Sequence, residues 1–179
     1  PDPTHRVAAP ATQIYPTADF KQRARATLSL GARLAVVKIA EGWAELATGG
    51  FVPAPHLDDQ PAVDPAAVAS LLIGTPYVWG GNSRDGIDCS GLVQLSLNAC
   101  GIRCPGDSDQ QRALGHEVTG APQRGDLFFW PGHVAMALNR RMMIHATAFG
   151  MAVITEPIAT ARNRIEVDGG TPLLTLRRL

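Results

Sequence analysis

One cysteine in this chain stands where a thiol can become a nucleophile. Cys89 lies in Asp88-Cys89-Ser90-Gly91, after the glycine-rich run Tyr77-Val78-Trp79-Gly80-Gly81 and at the head of the apolar stretch Leu92-Val93-Gln94-Leu95-Ser96-Leu97. That order predicts a thiol at a helix N-terminus, where unpaired backbone N–H groups and the helix dipole favour thiolate over thiol. A buried helical cysteine is the commoner state of this residue type, so the context must carry the assignment. Cys100, at the far end of the same apolar run, and Cys104, just past Gly101, lack that context and read as small buried or half-buried thiols. A disulfide between those two would close a very short loop. The odd number of cysteines and the absence of a Cys-x-x-Cys pair argue against a disulfide scaffold and a structural zinc site.

A cysteine nucleophile needs a base. Among the five histidines, His5 and His56 sit in Pro-rich surroundings and His116 in a polar segment, and all three read as surface residues. His133 and His145 differ. Pro131-Gly132 reads as a turn, His133 to Leu138 as a strand, Asn139-Arg140-Arg141 as a hairpin loop and Met142 to Ala146 as the return strand. With a three-residue loop, Leu138 faces Met142 and Ala135 faces His145. His133 and His145 then project from one face as diagonal neighbours, roughly 7–8 Å apart along the backbone and within reach of each other's side chains. A two-residue loop would place them on opposite faces. The sequence leaves both registers open.

Together with Cys89 these residues have the logic of a Cys-His dyad with a polar orienter. His133 would take the thiol proton to give a thiolate–imidazolium pair, and His145 would hold one ring nitrogen of His133. Zinc binding by the same three residues is the rival, since the ligand types suit that metal. A helix-start thiol with no second ligand on its own helix is an uncommon metal site, so no metal and no cofactor are expected.

A wider pattern surrounds these residues. Gly74-Thr75-Pro76-Tyr77-Val78-Trp79-Gly80-Gly81, Asp88-Cys89-Ser90-Gly91-Leu92-Val93, Arg124-Gly125-Asp126-Leu127-Phe128-Phe129-Trp130, His133-Val134 and Ile144-His145-Ala146 follow in order over roughly residues 66 to 157. The series resembles the successive motifs of the NlpC-type bacterial cell-wall cysteine peptidases, small papain-like enzymes. The resemblance implies Cys89 as nucleophile, His133 as base and then acid, His145 as third polar residue, and Tyr77 as oxyanion donor beside the Cys89 backbone N–H. It also implies Asp88, Ser90 and Ser108 as substrate-binding residues, for the substrate's free amine, its glutamyl carboxylate and the pocket lining. Read without it, Tyr77 is equally a core aromatic, Asp88 a helix N-cap and Ser108 the cap of the next helix. Where many relatives have Pro-Arg before Asp-Ser, this chain reads Cys104-Pro105-Gly106-Asp107-Ser108, without the arginine.

Trp79 and Trp130 read first as core aromatics beneath the site loops. The alternative, a water-excluding pocket wall, keeps Trp79 among the substrate-binding candidates. Gly80, Gly81 and Gly86 mark backbone that turns tightly or approaches a ligand. Asp126 reads as a turn residue before a buried strand.

Residues 1–58 carry short, partly alternating strands between Gly, Pro and polar turns, which predicts a small β-barrel. Their Gly42-Trp43 turn and closing Gly50-Phe51-Val52-Pro53 strand are similar to bacterial Src-homology-3-like domains. Residues 59–65 read as a linker, and 66–179 as the papain-like catalytic domain, opening on a helix from Ala66 to Ile73. The fold expected is α+β, a helix bearing the nucleophile packed on an antiparallel sheet, with a small N-terminal β-barrel.

Formal charge is zero over 179 residues and no basic stripe occurs, so nucleic acid and anionic membrane are poor partners. No run is long enough to span a membrane, and no basic segment with an apolar core opens the chain. A chain starting at Pro1 reads as a fragment or processed product; cytoplasmic peptide recycling is the favoured setting, with periplasm or secretion open. A monomer acting on peptidoglycan-derived peptides is expected. The resemblance implies a stem peptide with free N-terminal L-Ala, cut between γ-D-Glu and the diamino acid, with the barrel shielding one side of the cleft. An acyl or amide transferase using the same thioester, an amidase, and a non-catalytic wall-binding module are the alternatives.

Overall fold

The protein is described by a computed structural model covering residues 1–179. The chain divides into two compact units, Pro1–Pro61 and Ala62–Leu179, and the division along the sequence falls inside the stretch read as a linker.

The first unit is built from eight short strands: β1 (His5–Val7), β2 (Ala11–Ile14), β3 (Ala26–Ser29), β4 (Arg33–Leu34), β5 (Val36–Ala40), β6 (Trp43–Leu46), β7 (Phe51–Pro53) and β8 (Leu57–Asp58). They pair antiparallel in three small sheets, ordered β4-β1-β8, β2-β3 and β5-β6-β7. Glu41 and Gly42, both at positive φ (52° and 81°), turn β5 into β6 in a two-residue hairpin whose backbone handedness matches strand twist. Val7, Leu30, Ala44, Leu46 and Val52 form its small core, and Tyr15 meets Trp43 edge-on at 5.4 Å.

The second unit opens with α1 (Pro65–Ser70). Asp64 Oδ1 accepts the N–H groups of Ala66 and Ala67 at 2.9 and 3.2 Å, and Pro65 has no N–H to satisfy at the first helical position. The helix therefore starts one residue before Ala66. It also stops short of Ile73, because Leu71 to Ile73 tighten into turns that end at Gly74, φ 82°. The short strands β9 (Asn82–Ser83) and β10 (Gly86–Ile87) pair ahead of α2 (Cys89–Ala99). Leu92, Val93, Leu97 and Ala99 of α2 are buried, each large side chain contributing roughly 1.5–3 kcal/mol, so the helix sits inside the unit rather than on it. After α3 (Ser108–Gln111) come β11 (His116–Glu117), β12 (Leu127–Trp130), β13 (His133–Ala137), β14 (Met142–Thr147), β15 (Ala152–Pro157), α4 (Ile158–Arg162), a π-helical turn at Asn163–Asp168, and β16 (Thr175–Arg178).

These strands make one six-stranded antiparallel sheet, ordered β11-β16-β12-β13-β14-β15. Helix α2 packs against β13 and β14, while Ile158 and Ala161 of α4 cover Phe128, Trp130, Ala135 and Met143 on the sheet. All four residues of β12 are buried, as its unbroken apolar run predicts for a doubly covered strand. Trp130 is a core aromatic as expected, its Nε1–H donating to Glu166 at 3.2 Å. Asp126 is more than a turn residue. It is 1% exposed, accepts both guanidinium donors of Arg178 at 2.7 Å, and takes the Gln123 N–H. Burial alone would raise its carboxyl, but Arg178 and that N–H outweigh it and hold the pKa below the ordinary carboxylate value. This buried acceptor ties the C-terminal strand to the approach of β12.

The glycines ahead of the cysteine are explained by close packing. A Cβ on Gly81 would stand 2.5 Å from the Gly86 carbonyl oxygen, and one on Gly91 would stand 2.2 Å from that of Gly81. The start of α2 thus touches the preceding loop backbone to backbone. Gly91→Ala is expected to destabilise the protein by about 2 kcal/mol or more, read as a lowered midpoint in urea unfolding, because neither backbone segment can move aside cheaply.

Candidate active site

Four elements bring the site together. Asp88 is the N-cap of α2: its Oδ1 accepts the Gly91 N–H at 2.7 Å and the Ser90 hydroxyl at 3.0 Å, and its Oδ2 accepts the Gly80 N–H at 2.7 Å. This triple acceptance fixes the loop before the cysteine to the helix that follows it. Cys89 occupies the first helical position and is 7% exposed. Tyr77 is placed by its N–H to Met151 O at 2.9 Å, and its neighbours Pro76 and Val78 bond to Ile87 at 3.0 and 3.1 Å. Its phenol lies close enough to Cys89 and Asp88 to feel their charges. Burial and those charges push its pKa up, so it stays a protonated donor at neutral pH.

The hairpin of β13 and β14 has the three-residue loop. Met136 pairs with Ile144 and Ala137 with Met143, which continues to Leu138 facing Met142 and Ala135 facing His145. The loop is held by Asn139, whose Oδ1 accepts the N–H groups of Arg141 and Met142 at 2.8 and 3.0 Å. His133 and His145 are diagonal neighbours on one face, with His133 Nε2 and His145 Nδ1 at 2.8 Å. Those two nitrogens are engaged with each other.

The same diagonal step repeats on the next strand. His145 pairs with Ile154, so Glu156 lies two residues along on the same face, and its Oε1 meets His145 Nε2 at 2.7 Å. Arg164, from the π-helical turn, bonds the same carboxylate oxygen, and its guanidinium lies 4.0 Å above the Phe149 ring. Glu156 and Arg164 were absent from the sequence-derived set. The alternation that located His145 opposite Ala135 would have found Glu156 had it been carried across the second hairpin; Arg164 lies within a π-helical turn that no periodicity announces.

Electrostatics correct one expectation. Burial pushes the Cys89 thiol up, and the N–H groups of Val134, Ser90 and Cys89 itself only partly oppose it, while Asp88 adds to the rise. Burial pulls His133 down to about 3, aided by the positive side of His145 and Arg164, and pulls His145 down to about 4, aided by Arg164. Taken singly, the thiol and the imidazole are thus each pushed towards the neutral form, against the thiolate–imidazolium pair expected from a helix N-terminus. Desolvation of both charges outweighs the helix effect.

The other candidates fall at different depths. Ser90 is half-buried and bonded to Asp88. Ser108 is half-buried at the first position of α3; Asp107 is its N-cap residue, so Ser108 does not cap that helix. Helix α3 is tied to the site through Gln111, fully buried, which donates to the carbonyls of Ser90 and Pro105 at 2.9 Å each. Trp79 is 82% exposed, which overturns the core-aromatic reading; held between Tyr77 and Gly80, its ring projects into solvent. None of the three cysteines forms a disulfide. His56 is half-buried and bonded to Thr12 at 2.7 Å rather than free on the surface.

The description of the NlpC/P60 family matches residues 74–164, half of the 179-residue chain and the whole of the segment from Tyr77 to Arg164. The chain belongs to the NlpC/P60 family. Its NlpC/P60 segment is 40% identical over 87 residues to dipeptidyl-peptidase 6 of Lysinibacillus sphaericus, a match covering 48% of this chain and 32% of that one. It is 32% identical over 118 residues to a γ-D-glutamyl-L-lysine dipeptidyl-peptidase of Bacillus cereus, covering 61% and 34% respectively. The chain thus spans about a third of the length of these curated relatives. A crystal structure of an NlpC/P60 family protein from Bacillus cereus superposes on 99% of this chain and 63% of its own, with a TM-score of 0.82 and 26% identity. The papain-like α/β fold of the family is therefore the fold of this chain.

The two buried histidines make acid stability predictable. Each folded pKa lies below the ordinary 6.5, so the unfolded chain binds more protons through this window. Stability is complete above about pH 6.5 and falls as pH drops towards 4, by up to about 1.4 kcal/mol per pH unit for each histidine. Urea midpoints measured from pH 7.5 to 4 should show that slope, and His145→Asn should flatten it.

Proposed function

We propose that this NlpC/P60 chain is a cysteine peptidase that hydrolyses bacterial cell-wall peptides at the bond between γ-D-Glu and the diamino acid, in peptides with a free N-terminal L-Ala. The observation that carries the reading is the buried set of Cys89 at a helix start beside Val134 N–H and Tyr77, with His133 hydrogen-bonded to His145 at 2.8 Å. The names of relatives support the substrate class: one is a γ-D-glutamyl-L-lysine dipeptidyl-peptidase, and another, 34% identical over 107 residues, is the peptidoglycan endopeptidase RipA of Mycobacterium tuberculosis.

With His133 Nε2 engaged by His145, Nδ1 is the atom left for the thiol proton. As sulfur attacks the scissile carbonyl, that proton passes to His133, and the imidazolium is neutralised when it protonates the leaving amine. Water, deprotonated by His133, then releases the acyl group from sulfur. The developing oxyanion is met by the Tyr77 hydroxyl and the Cys89 N–H. Asp88 and Ser90, which flank the nucleophile in the chain and are half-buried, would meet the substrate's amine and glutamyl carboxylate, with Ser108 and the exposed Trp79 as further substrate contacts. The neutral resting pair makes proton transfer concerted with attack rather than prior to it.

We read the first unit as a Src-homology-3-like barrel. Its eight short antiparallel strands and the tight Glu41-Gly42 hairpin support this, as does the match of one NlpC/P60 structure over nearly the whole chain.

Mass-spectrometric product analysis of L-Ala-γ-D-Glu-meso-diaminopimelate, and of its L-Lys counterpart, tests the reaction. The wild type should release L-Ala-γ-D-Glu and Cys89→Ala should not; a folded, reduced wild type that cleaves neither peptide overturns the reading. Tyr77→Phe should lower kcat about 100-fold with little change in KM, since the hydroxyl is asked to act on the oxyanion alone.

A further inference from the structure

We propose that Glu156 and Arg164 are positioning residues that extend the site to a five-member relay, Cys89, His133, His145, Glu156 and Arg164, and that they set the direction in which its hydrogen bonds run. The inference rests on the peptidase reading of this site. It starts from one atom: Glu156 Oε1 receives both His145 Nε2 and the Arg164 guanidinium.

A carboxylate oxygen only accepts, so His145 Nε2 must carry the hydrogen facing it. A neutral His145 then offers a bare Nδ1. That atom can only accept from His133 Nε2, 2.8 Å away, which forces the His133 hydrogen onto Nε2 and leaves Nδ1 as a lone pair for the thiol. Reversing any link reverses all of them. A His133 with its hydrogen on Nδ1 could not accept the Cys89 proton at that nitrogen.

Arg164 does separate work. A lone carboxylate against a buried imidazole would draw a second proton onto it. With both nitrogens of His145 then donating, His133 Nε2 would have to become the acceptor and the relay would run backwards. The guanidinium answers the charge of Glu156, so His145 sees the carboxylate as an acceptor rather than as a counter-ion. The depressed pKa of His145, with Arg164 among its causes, agrees. The two inner members are buried, His145 1% and Glu156 9% exposed, while Arg164 is half-buried and lies over the exposed ring of Phe149. The charged and titratable groups that act on the two imidazoles are each other, Glu156 from β15 and Arg164 from the π-helical turn; Cys89 from α2, with Asp88 and Tyr77 close to it, meets the backbone N–H of Val134, the residue after His133. Glu166, on the same turn, is taken up by Arg162 and Trp130.

The test reads the thiol directly, without the peptide substrate: alkylation of Cys89 by iodoacetamide, in which sulfur displaces iodide and the thiol proton is taken up by His133, followed by peptide mass spectrometry from pH 3 to 8.5 on protein shown to be folded at each pH. Glu156→Gln keeps an acceptor oxygen for His145 and should alkylate within about threefold of wild type at pH 7, whereas Glu156→Leu should slow at least about tenfold, the usual scale for losing an outer orienting group. Arg164→Met should move the acid limb of the profile up by about one pH unit or more, because the uncompensated carboxylate now favours imidazolium. Peptide hydrolysis should follow, with kcat falling and KM held. A folded Glu156→Leu protein with wild-type rate and profile overturns the proposal, as does a Glu156→Gln protein as slow as Glu156→Leu. If Glu156→Leu does not fold, an unchanged acid limb in Arg164→Met overturns it alone. A wild type that shows these alkylation effects but cleaves no wall peptide supports the relay and counts against the peptidase reading.

Discussion

The hydrogen bond between His133 Nε2 and His145 Nδ1 depends on strand register, and the rest of the site depends on that bond. A slip of one residue between β13 and β14 would turn every side chain of one strand to the opposite face and part the two rings. The register is held at the tip by Asn139, which gathers two N–H groups and fixes a three-residue loop, and along its length by Val134, Met136 and Ile144, which are buried and have no other place to go. Hydrophobic burial of a few side chains thereby holds the two imidazoles within hydrogen-bonding distance. The same rule operates once more between β14 and β15, where it brings Glu156 to His145.

A second balance is settled at Cys89. Its place at the head of α2 offers stabilisation of a thiolate by backbone N–H groups, and its burial withdraws solvation from that same charge. Burial is the larger effect here, and it acts on His133 in the same sense, so the pair rests uncharged. Asp88 closes the Gly80 loop onto the start of the helix, accepting from Gly80 N–H on one oxygen and from Gly91 N–H on the other.

How much of this was legible in the sequence follows the range of each signal. Cys89 was readable because a helix start, its cap and its glycines are neighbours in the chain. His133 and His145 were readable as a conditional, since alternation in one short hairpin places them together once the loop length is known, and Asn139 is the residue that decides that length. Glu156 required a second hairpin whose four-residue loop, Ala148 to Met151, ends on Met151 at a positive φ of 48° that its residue type does not advertise. Arg164 and the Asp126–Arg178 pair join segments with no local pattern linking them, so only folding brings them together. Trp79 misled because an aromatic in an apolar-looking run usually packs inward, whereas the loop here is held by backbone bonds on either side and leaves the ring outside.

The central claim is that a neutral His133 presents an unprotonated Nδ1 to a neutral Cys89 thiol. Long-range nitrogen–proton NMR on histidine-labelled protein near pH 7 reads this directly, with His133→Gln and His145→Gln used to assign the rings. The account predicts a hydrogen on Nε2 and a bare Nδ1 in both histidines. Imidazolium at His133, or its hydrogen on Nδ1, would contradict it.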